Sequence, residues 1–339
     1  MTYRIGLAGC GWIAPYQLDG WKLVPGVEVV AVCDRDLSRA RALAEQSGIQ
    51  WSGQDAVHMM EDCSLDIIDI ATTPESHKDI ALAALERGLH VVCQKPLSTG
   101  IRDAEEMIEY ACGRGLVLYV NEMLRFCPWF RKIRELLYSG AIGRPVFARL
   151  FSRVAGFVEV GPERVMSFGF REYFKAQPRA IVLEETIHYL DVLRYLFGEP
   201  GSIYAVTENV SPALRGEDLA TAVLKFPGLT AVIEDSWSAH GPARSGAEIE
   251  GREGAALLTH AKVLEYYSGR SGRLEKTWDF SQQPWPQQRP LVFAALFADF
   301  LNLVASGGDG VAQARDNLRT LRLTLAAYES AASGAEIGL

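Results

Sequence analysis

The segment IVLEETIHYLDVLRYLFG, residues 181–198, is apolar except for a few groups at helical spacing. Glu184, His188 and Asp191 fall at i, i+4 and i+7, and Tyr195 continues the row, so on a helix they share one face. Imidazole titrates near neutral pH, which suits His188 to act as a general base accepting a hydroxyl proton. Glu184 would orient that ring or bind a substrate hydroxyl. Two other readings stand beside this one. His188 could be a satisfied core residue, or Glu184 and His188 could ligate zinc, although no third ligand is obvious. Asp191 reads as structural, tying its helix to a neighbouring loop.

A second charged group stands where a buried strand stops. In VVCQKPLS, residues 91–98, Lys95 follows the strand after a single glutamine, and Pro96 fixes the turn behind it. A third pattern opens the chain. An apolar run at 5–8 leads into Gly9-Cys10-Gly11-Trp12-Ile13-Ala14, a G-x-G-x-x-A turn ahead of a helix. The first glycine permits the tight turn, the second lets a pyrophosphate approach the backbone, and the small last residue lets helix pack on strand. The helix N-terminus then faces the anion. Asp34 ends the next strand, VEVVAVCD, about 20 residues beyond the second glycine, where a carboxylate can accept ribose hydroxyls. Asp34 could instead cap the helix that DRDLSRA begins. The acid favours NAD, while Arg35 beside it would suit the 2′-phosphate of NADP.

The elements that must position these groups change character near residue 122. Before it, strand-like runs at 5–8, 27–32, 67–70, 89–93 and 116–120 alternate with helical patterns at 37–47, 76–87 and 102–112. Those helices end beside Gly48, Gly88 and Gly113. This is the signature of a doubly wound parallel sheet, a Rossmann-type α/β domain over 1–122. Beyond it come a helix at 131–138, a strand at 145–153 and a helix at 184–197. Strands then follow one another at 203–210, 220–226, 230–238, 247–250, 263–267 and 274–280, which implies a mostly antiparallel sheet in a second α/β domain, 123–339. Helices at 292–305 and 312–332 close the chain. The prolines of SQQPWPQQRP, 281–290, suggest a loop or lid, and the FR and REY pieces around 170–173 suggest a loop near the cleft between domains.

Composition narrows the class. At 339 residues the chain exceeds one ordinary core, and 48% hydrophobic with 22% charged residues is the balance of a soluble globular protein. A net charge of -8 without a long basic run argues against nucleic acid. There is no signal-peptide pattern and no run of about 18 consecutive apolar residues, so a cytoplasmic protein without a membrane span is expected. The six cysteines lack any Cys-x-x-Cys spacing and read as buried free thiols.

Several motifs, in order, resemble the Gfo/Idh/MocA family of glucose-fructose oxidoreductases, inositol dehydrogenases and MocA-like proteins. They are GLAGCGWIA, AVCDRD, ATTPESHKDIALAALERGLHVVCQKPLS, RFCPWFRKIRELLYSGAIG and IHYLDVLRYLFG, with RDNLRTLRLTLAAYESAASG similar to the family's last helix. The resemblance covers nearly the whole chain. It implies an N-terminal Rossmann domain and a C-terminal domain on a large open sheet. The implied activity is hydride transfer between NAD(P) and a hydroxyl or carbonyl carbon of a sugar, sugar acid or cyclitol. The family's Glu-Lys-Pro falls on Gln94-Lys95-Pro96, so Lys95 inherits a place beside the nicotinamide and the reacting hydroxyl. The family's Asp-x-Gly-x-His falls on Glu184, Thr186 and His188.

Two departures matter: Gln94 removes a charge that would have favoured the charged form of Lys95, and Glu184 has a longer arm than aspartate. By the same resemblance Thr72, Pro74 and His77 line the cofactor site, with local hydrogen bonding at a helix start as the other reading for His77. Arg125 would bind substrate or hold the domain junction. Trp237 would stack on a sugar or simply pack. A bare sheet face would make the protein a homodimer or homotetramer. A redox-assisted glycosidase on tightly held NAD and a non-catalytic dinucleotide sensor share these motifs.

Overall fold

The computed structural model describes residues 2–156, 172–282 and 285–339. It divides into two compact units, Met1–Phe126 with Pro284–Leu321, and Cys127–Gln283 with Arg322–Leu339. The first unit therefore extends past the expected boundary at 122 and takes back a long C-terminal stretch.

In the first unit six parallel strands are β1 (Tyr3–Ala8), β2 (Val27–Cys33), β3 (Trp51–Gly53), β4 (Ile67–Ile70), β5 (His90–Gln94) and β6 (Leu118–Asn121). They lie in the order β3-β2-β1-β4-β5-β6, so the order reverses between β1 and β4. In such sheets ligands bind outside the C-terminal strand ends at that reversal. Helices α1 (Ala14–Lys22), α2 (Leu37–Ser47), α3 (Ala56–Asp62), α4 (His77–Glu86) and α5 (Ile101–Gly113) are the crossovers. Short elements such as β3 and α3 escaped the sequence reading because three to seven residues carry little periodicity.

Helices α6 (Pro128–Tyr138), α7 (Glu172–Ala176) and α8 (Ile187–Phe197) belong to the second unit, and two long helices, α9 (Trp285–Ser306) and α10 (Ala312–Ser333), close the chain. Helix α9 returns to the first unit, where Trp21 of α1 stacks on Phe297 with ring centroids 3.8 Å apart. Gly20 makes this approach possible, since a Cβ there would meet the Phe293 Cβ at 2.6 Å. Residues 285–290, expected in a loop or lid, open α9 instead, while 283–284 lie outside the described residues. Pro286 sits in the first turn, where the missing N–H has no intrahelical acceptor to lose, and burial of Phe293, Phe297 and Phe300 outweighs the interior Pro290. By length and composition alone α9 could cross a membrane, but its most apolar side is buried in this unit. At the sheet edge the Gln313 side chain of α10 accepts from the Val120 N–H at 2.7 Å and donates to the Val120 carbonyl at 3.0 Å, covering β6 as a neighbouring strand would.

The second unit is built on nine strands: β7 (Pro145–Arg153), β8 (Ser202–Glu208), β9 (Leu219–Phe226), β10 (Leu229–Ser236), β11 (Arg244–Gly251), β12 (Gly254–Leu258), β13 (Val263–Ser268), β14 (Leu274–Asp279) and β15 (Ile337–Gly338). Their order is β14-β13-β12-β11-β7-β10-β9-β8-β15. All pairs are antiparallel except β7 with β10. Alternation along β9 and along β10 as far as Asp235 buries Ala222, Leu224, Ala231 and Ile233 on one face. Helix α8 covers that face, with Phe197 against Phe226 at 6.0 Å.

Candidate active site

In the first unit the glycine loop follows β1 directly. Gly9 has φ +99°, and a Cβ there would lie 2.6 Å from the Ala71 carbonyl and 2.7 Å from the Thr72 nitrogen, so the fold itself requires glycine. Gly11 differs: an added Cβ would meet nothing within 4 Å. The chain leaves open space at the glycine that a bound pyrophosphate would approach, which is the fit a dinucleotide demands. Asp34 braces the loop, its Oδ2 accepting the Cys10 N–H at 2.8 Å and its Oδ1 the Asp36 N–H at 2.9 Å. Each oxygen retains a lone pair for a ribose hydroxyl. The cap of α2 is Asp36, which accepts from the Ser38 N–H at 3.0 Å, so Asp34 is not the cap. Arg35 is exposed. Ile13 packs on the core, whereas Trp12 is 39% exposed with the Arg289 guanidinium 4.4 Å above its ring.

Across the strand-order reversal, Thr72 accepts at its hydroxyl from Ser76 at 2.8 Å, and Pro74 is buried in the turn before α4. His77, the first residue of α4, is fully buried. Its Nδ1 lies 2.9 Å from the Pro96 carbonyl and its Nε2 3.1 Å from the Thr72 carbonyl. Burial holds the imidazole below its usual range, so the neutral ring donates to one of these carbonyls. His77 thus joins the β4 end to the residue that follows Lys95. On the other side of Lys95, Gln94 donates from Nε2 to Gln17 Oε1 at 3.2 Å. Gln17 in turn donates to Asp69 Oδ1 at 2.7 Å, and Trp21 Nε1 donates to Asp69 Oδ2 at 2.8 Å. Half-buried Lys95 is therefore flanked by two buried anchors.

The sequence reading missed Gln17 and Asp69. Their signal was available: a carboxylate inside the strand IIDI, and a glutamine on the face of α1 that carries Leu18 and Trp21. Beside Gln94 in the sheet register stands Asn121, 1% exposed, whose side-chain nitrogen and oxygen have no partner among the described residues. A buried amide in that state calls for water or a ligand. Arg125 pairs with Asp316 at 2.7 Å, both in this unit.

In the second unit the segment expected as one helix from 184 is a π-turn, Val182–Thr186, running into α8. Two buried carboxylates hold its ends. Glu217 Oε1 accepts from the Ala180 N–H (2.9 Å), the Val182 N–H (3.2 Å) and the Tyr328 hydroxyl (2.7 Å). The Thr186 hydroxyl donates to Asp235 Oδ2 at 2.6 Å. Burial, with Glu185 close by, pushes the Asp235 carboxyl well above its usual range. Glu184 lies within this turn and His188 is the second residue of α8, both half-buried. Asp191 is buried, 3.9 Å from Arg194, whose guanidinium also reaches Glu199. Trp237 differs from the sugar-platform reading: it is 2% exposed, with its ring 5.5 Å from Phe174, and serves packing. Residues 170–171 lie outside the described residues.

A reversing parallel sheet with this glycine loop, and an acid bracing it, define a Rossmann dinucleotide-binding domain. The family model for the oxidoreductase family with NAD-binding Rossmann fold matches residues 3–122, and that for the GFO/IDH/MocA C-terminal domain matches residues 130–257. D-apiose dehydrogenase of Paraburkholderia graminis is 33% identical over 99% of this chain and 90% of its own length, and that of Rhizobium rhizogenes is 31% identical over 98% and 96%. An oxidoreductase from Agrobacterium radiobacter, solved with NAD+, L-tartaric acid and magnesium, is 28% identical with a TM-score of 0.86, covering 100% of this chain and 98% of that one. The chain belongs to the Gfo/Idh/MocA oxidoreductase family.

Proposed function

We propose that the protein is an NAD-dependent dehydrogenase acting on a secondary or anomeric hydroxyl of a sugar, sugar acid or cyclitol, with D-apiose the first substrate to try. The observation that carries the reading is Lys95, flanked at the C-terminal edge of the NAD-binding sheet by the Gln94 and Pro96 anchors. Two relatives that span almost the whole chain are apiose dehydrogenases. Bound nicotinamide would supply the hydride acceptor. Gly9, Gly11, Trp12 and Ile13 would hold the pyrophosphate, Asp34 the adenosine ribose, and Thr72, Pro74, His77 and Gln94 the nicotinamide side. Lys95 would donate a hydrogen bond to the reacting hydroxyl and polarise it. His188 would accept its proton, with Glu184 orienting the ring or a substrate hydroxyl. Arg125, engaged with Asp316, would act on substrate only through the loop it steadies.

The second unit, in this reading, binds substrate and mediates oligomerisation. Its outward sheet face leaves Tyr204 and Val206 about two-fifths exposed, which suits a homodimer or homotetramer. A cytoplasmic enzyme is the matching location. The test is nicotinamide reduction across aldoses including apiose, sugar acids and inositols, with NAD and NADP in parallel and Lys95→Met as control. A signal from wild type alone, with NAD, is expected. Glycoside cleavage without net reduction would instead identify the redox-assisted glycosidase, and dinucleotide binding without either reaction the sensor.

A further inference from the structure

Trp21 Nε1 can only donate, so Asp69 Oδ2 must accept. While Asp69 is charged, Oδ1 must accept too, which turns the Gln17 amino group toward Asp69 and its carbonyl toward Gln94. Gln94 then has to present its amino group inward, where it donates to Gln17 Oε1, and its carbonyl oxygen on the opposite side. The direction of the whole chain of hydrogen bonds is set at its buried end. A proton on Asp69 Oδ1 would reverse it: the acid would donate to the Gln17 carbonyl, the Gln17 amino group would face Gln94, and Gln94 would turn its carbonyl inward.

We propose that Asp69 is a positioning residue which, through Gln17, fixes the polarity of the Gln94 amide beside Lys95, so that an acceptor is presented to the cofactor side. Among the described residues, the groups packed around this chain leave the switch to Asp69. Helix α1 contributes only the neutral donors Trp21 and Gln17. The in-register neighbours Leu7 and Val92 are apolar. Further along that face Asp299 of α9 is occupied by the Tyr119 hydroxyl at 2.7 Å. Cys93 on β5 is a buried thiol held protonated. Burial, offset in part by the Trp21 and Gln17 bonds, raises the Asp69 carboxyl to about 7, so both polarities are accessible near neutral pH.

The inference rests on the proposed place of Gln94 beside bound NAD, and its test needs no substrate. NAD dissociation constants would be measured between pH 6 and pH 8, and melting curves between pH 4 and pH 8, for wild type, Asp69→Asn, Gln94→Glu and the double variant. In Asp69→Asn the introduced amide keeps the Trp21 bond but donates to Gln17, locking the reversed direction. This variant is expected to weaken NAD binding about fivefold or more at pH 8 and to match wild type near pH 6. Gln94→Glu sets two acceptors face to face and is also expected to weaken binding at pH 8. Together the two changes restore a consistent chain, in which the introduced asparagine donates to Gln17 and Gln17 donates to the introduced glutamate. Binding is then expected to return to within about threefold of wild type. Independent, multiplying losses would overturn the proposal, as would a penalty for Asp69→Asn that does not change with pH.

Melting supplies a second readout. A raised carboxyl keeps its proton in the folded state between about pH 4 and pH 7, so its contribution to stability falls as pH rises through that window. Asp69→Asn should remove that fall. Should Asp69→Asn not fold, Gln17→Met cuts the link, and in that background the cost of Gln94→Glu should be the same at pH 6 and pH 8. A pH-dependent cost there overturns the proposal. If no variant, wild type included, reduces NAD with any substrate while the binding cycle closes as expected, the dehydrogenase reading fails and this one stands.

Discussion

The two groups proposed to do the chemistry are held in different ways. Lys95 stands at the end of a regular parallel sheet, and its neighbours are anchored by residues from α1, β4 and α4, the elements that surround any strand-order reversal. His188 follows a π-turn, an irregular element bonded to Glu217 through the backbone at its start and to Asp235 through the Thr186 hydroxyl at its end. General topology places the first group, while two buried carboxylates place the second. Tolerance to mutation should differ accordingly: the lysine side should fail through loss of chemistry, and the histidine side through relaxation of local geometry.

The contrast can be tested in descending order of effect. Lys95→Met should lower turnover roughly 10³-fold, with NAD affinity within a few-fold of wild type by calorimetry. Normal turnover would remove the lysine from the chemistry. His188→Gln should lower turnover about 10²-fold and leave NAD affinity within a few-fold of wild type, as loss of a group acting only on the reacting hydroxyl requires. Unchanged turnover would assign the proton to another group. The two loop glycines separate fold from ligand. Gly9→Ala should destabilise the protein by about 1–3 kcal/mol in denaturant titrations because of its left-handed backbone. Gly11→Val should leave the melting temperature unchanged and weaken NAD binding roughly tenfold. If both only destabilise, Gly11 is structural. Thr186→Val, which strips Asp235 of its side-chain donor, should cost about 1–3 kcal/mol of stability and lower turnover less than tenfold. A larger kinetic than thermodynamic effect would show the π-turn taking part in the chemistry.

Most of the first unit was legible because its rules are periodic: apolar runs, glycine-ended helices, and an acid at a set distance from a glycine pair. The Lys95 position followed from the same regularity together with a family motif. What the sequence concealed was of two physical kinds. Partners distant along the chain, such as Gln17 with Gln94 or Gln313 with Val120, leave no local trace because each is an ordinary polar residue until the fold brings the pair together. Local rules that tertiary packing overrides also misled: Pro286 and Pro290 read as a loop, yet three buried phenylalanines make that stretch helical. The π-turn belongs to this second kind, since Glu184 and His188 show α-helical spacing while the wider turn is tied to Glu217 and Asp235, far along the chain.

The return of α9 and α10 to the first unit bears on how such proteins can be recombined. A gene fragment ending at Phe126 would encode the six-stranded sheet without the phenylalanines that cover Trp21 and without the glutamine that seals β6. A chimaera that pairs this nucleotide-binding half with a relative's substrate half needs three crossovers, and the last, between Leu321 and Arg322, falls inside α10. Inheritance of the two halves as one cassette is the simplest outcome of that architecture.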